Sequence, residues 1–181
     1  MAADAPWYEA ALLVGLTNAL NVVADSPLEA LEPAIPATEA QAVFTEIRAF
    51  YARDDVPVAF RRVAADPGYL ADFWGATRRA FADNQLTRRH KESLAFAVSV
   101  TTRSSFGTSF HLGEMRRLGV GERGVMEVLG VTQMFSSYTK IADTLQLEPD
   151  MGDIAAVDHS PAPGGTKPST RSPEARSLQA P

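Results

Sequence analysis

The sequence of 181 residues contains no cysteine. Disulfide bonds, thiolate catalysis and cysteine-ligated zinc sites are therefore excluded for these residues, because each of them needs a cysteine sulfur. Clusters of basic residues are also lacking: 17 Lys and Arg against 22 Asp and Glu give a net charge of -5, without blocks of one sign. A nucleic-acid-binding surface needs clustered Lys and Arg, so we expect no nucleic-acid partner.

Long hydrophobic runs are absent as well. No stretch reaches the roughly 18 uncharged apolar residues that a membrane span needs. The N-terminal stretch has an apolar centre, but no basic residue precedes it, and its helical spacing continues to Asp25. Signal peptides have a basic start and a shorter apolar segment. We therefore expect a cytoplasmic protein that makes no membrane contact.

The sequence also lacks the alternating apolar and polar pattern of half-buried strands. Apolar residues instead recur at helical spacing in six or seven segments, which Pro, Gly and Asp separate. Predicted helix caps precede four of these segments: Thr38, Asp66, Thr87 and Ser104. We predict an all-α fold of about six or seven helices over residues 1–151.

The fifth and sixth predicted helices form a central helix hairpin. Residues 94–98 (LAFAV) are apolar almost all round, which is typical of a helix at the centre of a bundle. Ser104, Thr108 and His111 follow at i, i+4 and i+7, so they share one face of the sixth helix. We expect this polar stripe to face the core. The basic residues at the start of the fifth helix are expected to face solvent: Arg88, Arg89, His90 and Lys91.

The composition changes after Asp150 to Pro, Gly, Ser and charged residues. Such a segment buries too little apolar surface to offset the entropy lost on ordering. We expect residues 152–181 to form a tail that is disordered or lies on the surface.

Two segments of the predicted hairpin resemble the alkylhydroperoxidase D-like (AhpD-like) and carboxymuconolactone decarboxylase superfamily: LTRRHKE at residues 86–92 and SSFGTSFH at residues 104–111. In the redox-active branch, a Glu precedes a Cys-x-x-Cys pair by twelve residues, and a His follows four residues after the second Cys. Glu92 and His111 match this spacing, whereas Ser104 and Gly107 stand at the cysteine positions. The lactone decarboxylase branch keeps the His without the cysteine pair. The resemblance implies an AhpD-like helical bundle that assembles as a homo-oligomer (dimer, trimer or hexamer).

The preceding part of the chain resembles the group I haloacid dehalogenases. The matching pieces are EIR at residues 46–48, VPVAFRRVA at residues 56–64 and PGYL at residues 67–70. The dehalogenases carry their catalytic Asp immediately before the Phe that matches Phe60, where this chain has Ala59. This difference counts against dehalogenation.

The retained Glu and His indicate proton transfer. Thiol-dependent peroxide reduction is excluded because Ser104 and Gly107 offer no thiolate. A carboxylate in apolar surroundings has a raised pKa, and an imidazole titrates near neutrality, so the pair could act as acid and base. The N-terminus of a helix that begins at Ser104 could hold a substrate carboxylate. We predict a cofactor-free decarboxylase, isomerase or lyase for a small organic acid or lactone, with His111, Glu92 and Ser104 as catalytic residues.

Further side chains are predicted to line the substrate pocket: Thr108, Phe106, Phe110, Phe96, Trp74 and Tyr138. No metal site is expected, because the third histidine, His159, lies in the tail. Four of the candidate residues also have a structural interpretation. In this interpretation, His111 is a core histidine bonded to a carbonyl or to Glu114, and Glu92 is a first-turn acid. Ser104 is then a helix cap, and Thr108 donates to helix carbonyls.

Two other functions stay open from the sequence. The chain could be a non-catalytic descendant that binds a small molecule or a partner protein through the inherited cavity. It could also be a purely structural oligomer. Catalysis needs protonation changes at the Glu–His pair, whereas binding tolerates a His111→Gln substitution.

Overall fold

The computed structural model describes residues 5–27 and 37–146, which form seven α-helices and no strand. The helices are α1 (Ala5–Asp25), α2 (Thr38–Tyr51), α3 (Val58–Val63), α4 (Pro67–Phe81), α5 (Arg88–Thr101), α6 (Ser105–Arg117) and α7 (Glu122–Thr144). The prediction of an all-α fold is confirmed. The expected domain boundary at residue 151 and the tail of residues 152–181 lie outside the described residues.

Three of the four residues predicted above as helix caps do cap a helix in the structure. Asp66, Thr87 and Ser104 each accept a hydrogen bond from the backbone N–H three residues later. The prediction for Thr38 is wrong, because Thr38 is already helical and Ala37 occupies the cap position without a side-chain hydrogen bond. The cap of Ser104 determines where α6 begins.

The central hairpin of α5 and α6 holds the fold together. Helix α5 packs against α6, α1, α7 and α4. The larger hydrophobic cluster joins residues of α1 to α5, and a smaller cluster joins Phe96, Met115 and Val125 of α5, α6 and α7. This arrangement buries the facing sides of α5 and α6, on which the polar stripe lies.

Lys91 is buried, so its predicted position on a solvated face is wrong. Its side chain has no exposed surface, and its Nζ donates to the carbonyl of Ala82 (2.6 Å) and pairs with a carboxylate oxygen of Glu9 (3.1 Å). Glu9 also accepts hydrogen bonds from the backbone N–H groups of Gln85 and Leu86, both at 3.0 Å. Glu9 of α1 therefore provides the counter-charge that allows Lys91 to be buried.

None of the described helices is long and apolar enough to cross a membrane.

We predict that Glu9→Gln lowers stability at neutral pH and flattens its pH dependence below about pH 4.3, the pKa of Glu in an unfolded chain. The backbone hydrogen bond from Leu86 is the main cause that lowers the pKa of Glu9 in the folded protein. A lowered folded pKa adds stability above the unfolded pKa, and this stability is lost as the pH falls through the folded value. Thermal melting between pH 3 and pH 7 measures the effect.

The matched control is Asp72→Asn, because Asp72 is exposed on α4. If both variants melt like the wild type at pH 7, the Glu9 contacts do not stabilise the fold.

Candidate functional site

Glu92 and His111 form a buried hydrogen-bonded pair between α5 and α6. Neither side chain is more than 1% exposed, and 2.8 Å separates His111 Nδ1 from a carboxylate oxygen of Glu92. A carboxylate accepts, so Nδ1 donates and Nε2 is the unprotonated nitrogen of the neutral ring. Among the residues that the structure describes, Nε2 is buried and has no hydrogen-bond partner. His111 therefore carries a basic nitrogen whose hydrogen-bonding capacity is unused.

Two arginines and a second glutamate surround this pair. Arg88 contacts Glu92 (3.4 Å) and Glu114 (3.0 Å), and Arg117 pairs with Glu114 at 2.6 Å. Only 13% of the Arg88 side chain is exposed, so the prediction of a solvated Arg88 is wrong. The alternative expectation that His111 bonds to Glu114 is wrong, because His111 bonds to Glu92 instead. Because two positive charges balance two negative ones, the neutral form of His111 leaves the cluster without net charge.

Tyr51 adds a buried phenol from α2 to this cluster. Burial, followed by the nearby charge of Glu92, raises the pKa of Tyr51 well above its usual value. The phenol therefore stays protonated at neutral pH. Its ring lies edge-on to Phe110, with centroids 5.1 Å apart, and the guanidinium of Arg88 is 5.1 Å from its centre.

Two aromatic rings enclose the imidazole of His111. Phe81 lies parallel to it at 5.7 Å, and Phe110 lies edge-on at 5.2 Å between ring centres. Phe110 also stacks on Phe106, and both line a surface groove of about 540 Å³ that includes Arg53. Phe110 therefore contacts both the buried imidazole and the open groove.

The N-terminus of α6 is already occupied by groups of the chain itself. Ser104 accepts from the N–H of Gly107 at 2.9 Å, and Asp25 accepts from the N–H of Phe106 at 3.3 Å. Asp25 also accepts from the hydroxyl of Ser105 at 3.4 Å. The prediction that this helix end holds a substrate carboxylate is therefore not supported, since a second anion would meet the carboxylate of Asp25.

At Gly107, helix α6 lies directly against side chains of α1 and α5. A Cβ atom placed on Gly107 would overlap Asn21 Oδ1 and Ser99 Oγ. Asn21 is buried and donates from Nδ2 to Ser99 Oγ at 3.0 Å, and Ser99 donates to the carbonyl of Ala95 at 2.8 Å. The chain therefore has no room for any side chain at position 107.

Comparisons with known proteins agree with this hairpin. The sequence model of the carboxymuconolactone decarboxylase family matches residues 67–147. The fold is similar to the crystal structure of the alkylhydroperoxidase AhpD core from Rhodospirillum rubrum, with a TM-score of 0.58 and 26% identity over 62% of this chain and 83% of that chain. Residues 67–147 are thus similar to the carboxymuconolactone decarboxylase family, and the helical core has an AhpD-like fold. No curated protein matches the sequence. The resemblance to haloacid dehalogenases stays a prediction.

The two cysteine positions of the AhpD-like redox pattern carry no thiol in this chain. Position 104 carries a helix-capping serine, and position 107 carries a glycine. The space that a side chain at position 107 needs is filled by Asn21 and Ser99. A thiol side chain at position 107 would therefore need Asn21 and Ser99 to move.

Not every predicted pocket residue lies beside His111 in this AhpD-like site. Phe96 packs with Met115 and Val125 in the smaller cluster, because it faces α7. Tyr138 is 62% exposed on α7, a helix that packs against α5. These two positions are corrected by the structure, since sequence spacing does not show which neighbour a helix face meets.

The remaining predicted residues lie nearer to the pair or have another partner. Trp74 is buried and donates to Glu46 at 3.1 Å, and its ring centre is 6.2 Å from that of Tyr51. Thr108 is half-buried on α6. Ser104 precedes His111 by seven residues, about 10 Å along the helix axis, and its hydroxyl is used as a cap.

Sequence reasoning missed most of the charged shell of the AhpD-like site. The spacing of Arg88 to Glu92 (i, i+4) and of Glu114 to Arg117 (i, i+3) gave a usable signal for two ion pairs. Nothing local indicated Tyr51, which α2 brings in. Among the described residues, no group of three His, Asp or Glu side chains could hold a metal ion.

We predict that Gly107→Ala destabilises the protein by about 1–3 kcal/mol, because the added methyl group overlaps a filled core. Asn21→Ala in the same chain should recover part of this loss, with a coupling free energy of about 0.5–3 kcal/mol. Urea unfolding of both single variants and the double variant measures the coupling.

Gly113→Ala is the matched control, because Gly113 lies on the exposed side of α6 with no atom near its missing Cβ. This change should stabilise the helix by roughly 0.5–1 kcal/mol. Equal effects at the two glycines would contradict the packing described at Gly107.

Proposed function

We propose that this AhpD-like protein is a cofactor-free acid–base enzyme of the decarboxylase, isomerase or lyase type, and that its substrate is a small organic acid or lactone. The observation that carries the proposal is the buried, unpartnered Nε2 of His111 beside a Glu-bound Nδ1. A buried nitrogen without a partner costs about 1–3 kcal/mol. A substrate that bonds to Nε2 removes this cost.

In the proposed reaction, His111 Nε2 takes a proton from a carbon next to the substrate's carbonyl group. Glu92 stabilises the resulting imidazolium through Nδ1, because an opposite charge at 2.8 Å favours the protonated ring. The imidazolium then returns the proton to another carbon of the substrate, which gives an isomerisation. In a decarboxylation, Nε2 first takes the proton of the substrate's carboxylic acid group, carbon dioxide then leaves from the carboxylate, and the imidazolium returns that proton to the carbanion. Ser104 enters the proposal only as the cap that fixes the start of α6.

Substrates would reach His111 from the groove at Phe106 and Phe110. His111 is only 1% exposed, so the Phe110 side chain has to rotate before a substrate contacts Nε2. Arg53 lines the same groove, and its guanidinium lies 5.7 Å from the centre of the Phe110 ring. Its pairing with Asp55 is at the surface, where ion pairs contribute about 0–1 kcal/mol, so a substrate carboxylate can replace Asp55.

The second candidate function is a non-catalytic binding protein. The observation that favours it is the closure of the site, since Asn21 and Ser99 fill the space beside Gly107 and aromatic rings enclose His111. A cytoplasmic location stays a prediction under either function.

We predict that His111→Gln lowers kcat/KM for a turned-over acid or lactone by about 10²–10⁴, the usual contribution of a general acid–base group. Substrates are found by a thermal-shift screen of small aromatic acids, aliphatic acids and lactones between pH 5 and pH 8. A ligand at 100 times its dissociation constant adds about 2.7 kcal/mol of stability. Compounds that stabilise the wild type are then tested for turnover by mass spectrometry.

The matched control is His90→Gln, since His90 is an exposed histidine on α5. Equal turnover in the two variants would exclude His111 as the base. A ligand that stabilises the wild type and His111→Gln equally, without turnover, would support the binding protein instead.

We also predict that Arg53→Met raises KM for a carboxylic acid substrate by up to about fivefold and leaves KM for a neutral lactone unchanged, because only the acid pairs with the guanidinium at the surface. Arg123→Met, which removes an arginine that is 93% exposed on α7, serves as the control. A parallel rise in KM for both substrate types would mean that Arg53 shapes the groove and does not recognise the carboxylate.

A further inference from the structure

Helix α7 buries very little of its apolar surface. Val125 is the one buried residue that the structure assigns to this helix of 23 residues. Six large apolar side chains along α7 and at its C-cap are each more than half exposed: Val131, Met134, Phe135, Tyr138, Ile141 and Leu145. Monomeric proteins rarely leave a contiguous apolar surface of this kind in water.

Four of these exposed residues and two half-buried ones follow the spacing of a coiled-coil seam. The seam consists of Val128, Val131, Phe135, Tyr138, Ala142 and Leu145, which are separated by steps of three and four residues in alternation; Val128 and Ala142 are the half-buried members. We call these six residues the α7 seam. Met134 and Ile141 lie directly beside it, and the polar Gln133 and Lys140 lie on the opposite side of the helix. A seam with this repeat is built to pack against another helix along its length.

The α7 seam continues into an apolar groove between α5 and α7. The groove has a volume of about 520 Å³, and Leu86, Leu94 and Ala97 on one side face Val128 and Val131 of the seam on the other. Leu94, in the middle of α5, is 37% exposed here. The groove and the seam therefore form one surface, on the side of α5 that carries Leu94.

We propose that the α7 seam and the adjoining α5 groove are the surface through which copies of this chain associate. A heptad seam is self-complementary, because the same positions on two copies interdigitate around a two-fold axis. The family resemblance predicts a homo-oligomer but does not say which surface forms the interface. Our proposal assigns that interface to the α7 seam and the α5 groove.

The exposed area is of the size that self-association needs. The area can be estimated from the surface that aromatic and aliphatic side chains lose when they are fully covered. On this basis, the six large apolar side chains that are more than half exposed on α7 present on the order of 500 Å². A stable interface takes about 800 Å² from each partner, and the α5 side of the groove provides further apolar surface. The seam and the groove together are therefore large enough to form an interface, and no other part of the chain is needed.

Residues 147–181 are a less suitable occupant of the same surface. This segment contains no Phe, Trp or Tyr, and its large aliphatic residues are only Leu147, Met151, Ile154, Val157 and Leu178. The steps of four and three residues from Leu147 to Ile154 do not continue beyond Ile154, and five prolines lie between residues 161 and 181. A second copy of α7 provides both the apolar side chains and the matching repeat.

The test measures the mass of the full chain in solution by light scattering after size-exclusion chromatography, from 1 to 100 µM. We expect the wild type to have at least twice the monomer mass of 19.5 kDa. Phe135→Lys and Tyr138→Lys should each raise the dissociation constant at least tenfold, because each places a charge in the seam. Gln133→Lys adds the same charge on the opposite side of α7 and should leave the mass unchanged.

Circular dichroism checks that the variants stay helical, which we expect because the substituted side chains are exposed. A monomeric wild type at 100 µM would overturn the proposal. An oligomer that all three lysine variants leave intact would also overturn it, since the interface would then lie elsewhere. The result is independent of the acid–base function, because none of the substituted residues contacts His111 or Glu92.

Discussion

The buried hydrogen bond between Glu92 and His111 is the interaction on which the surrounding core depends. A buried carboxylate is strongly unfavourable without compensating charge and hydrogen bonds. Arg88 provides the charge, and the two oxygens of Glu92 are shared between Arg88 and His111. Because Arg88 also needs a partner on its other side, Glu114 and then Arg117 complete the cluster. One buried pair thus determines the identity of several residues on α5 and α6.

The Glu–His pair and the start of α6 depend on separate contacts. The pair lies between the facing sides of α5 and α6, and Ser104 precedes His111 by seven residues, about 10 Å along the helix axis. Ser104 keeps the helix start through its cap, and Gly107 lets α6 approach Asn21 and Ser99. The hairpin therefore combines a buried Glu–His pair with a helix start that carries no thiol.

The helices differ in how much of their apolar surface they bury. This difference distinguishes the enclosed site on α5 and α6 from the exposed surface of α7. The residues of α5 and α6 around His111 are enclosed by ion pairs and by aromatic rings. Helix α7 instead packs on α5 and leaves most of its apolar residues exposed. The proposed chemistry thus lies on one side of α5, and the surface proposed for association lies on the side that carries Leu94.

The sequence by itself determined the all-α class, three of the four helix caps tested and the pairing of Glu92 with His111. Caps and helical periodicity depend on residues three or four positions apart, and the pair followed a family spacing. The tertiary structure alone decided the burial of Lys91 beside Glu9, the position of Tyr51 and the filling of the space at Gly107 by Asn21. Each of these depends on a residue that is far away in the sequence, whose distance and orientation only the packing of the helices sets.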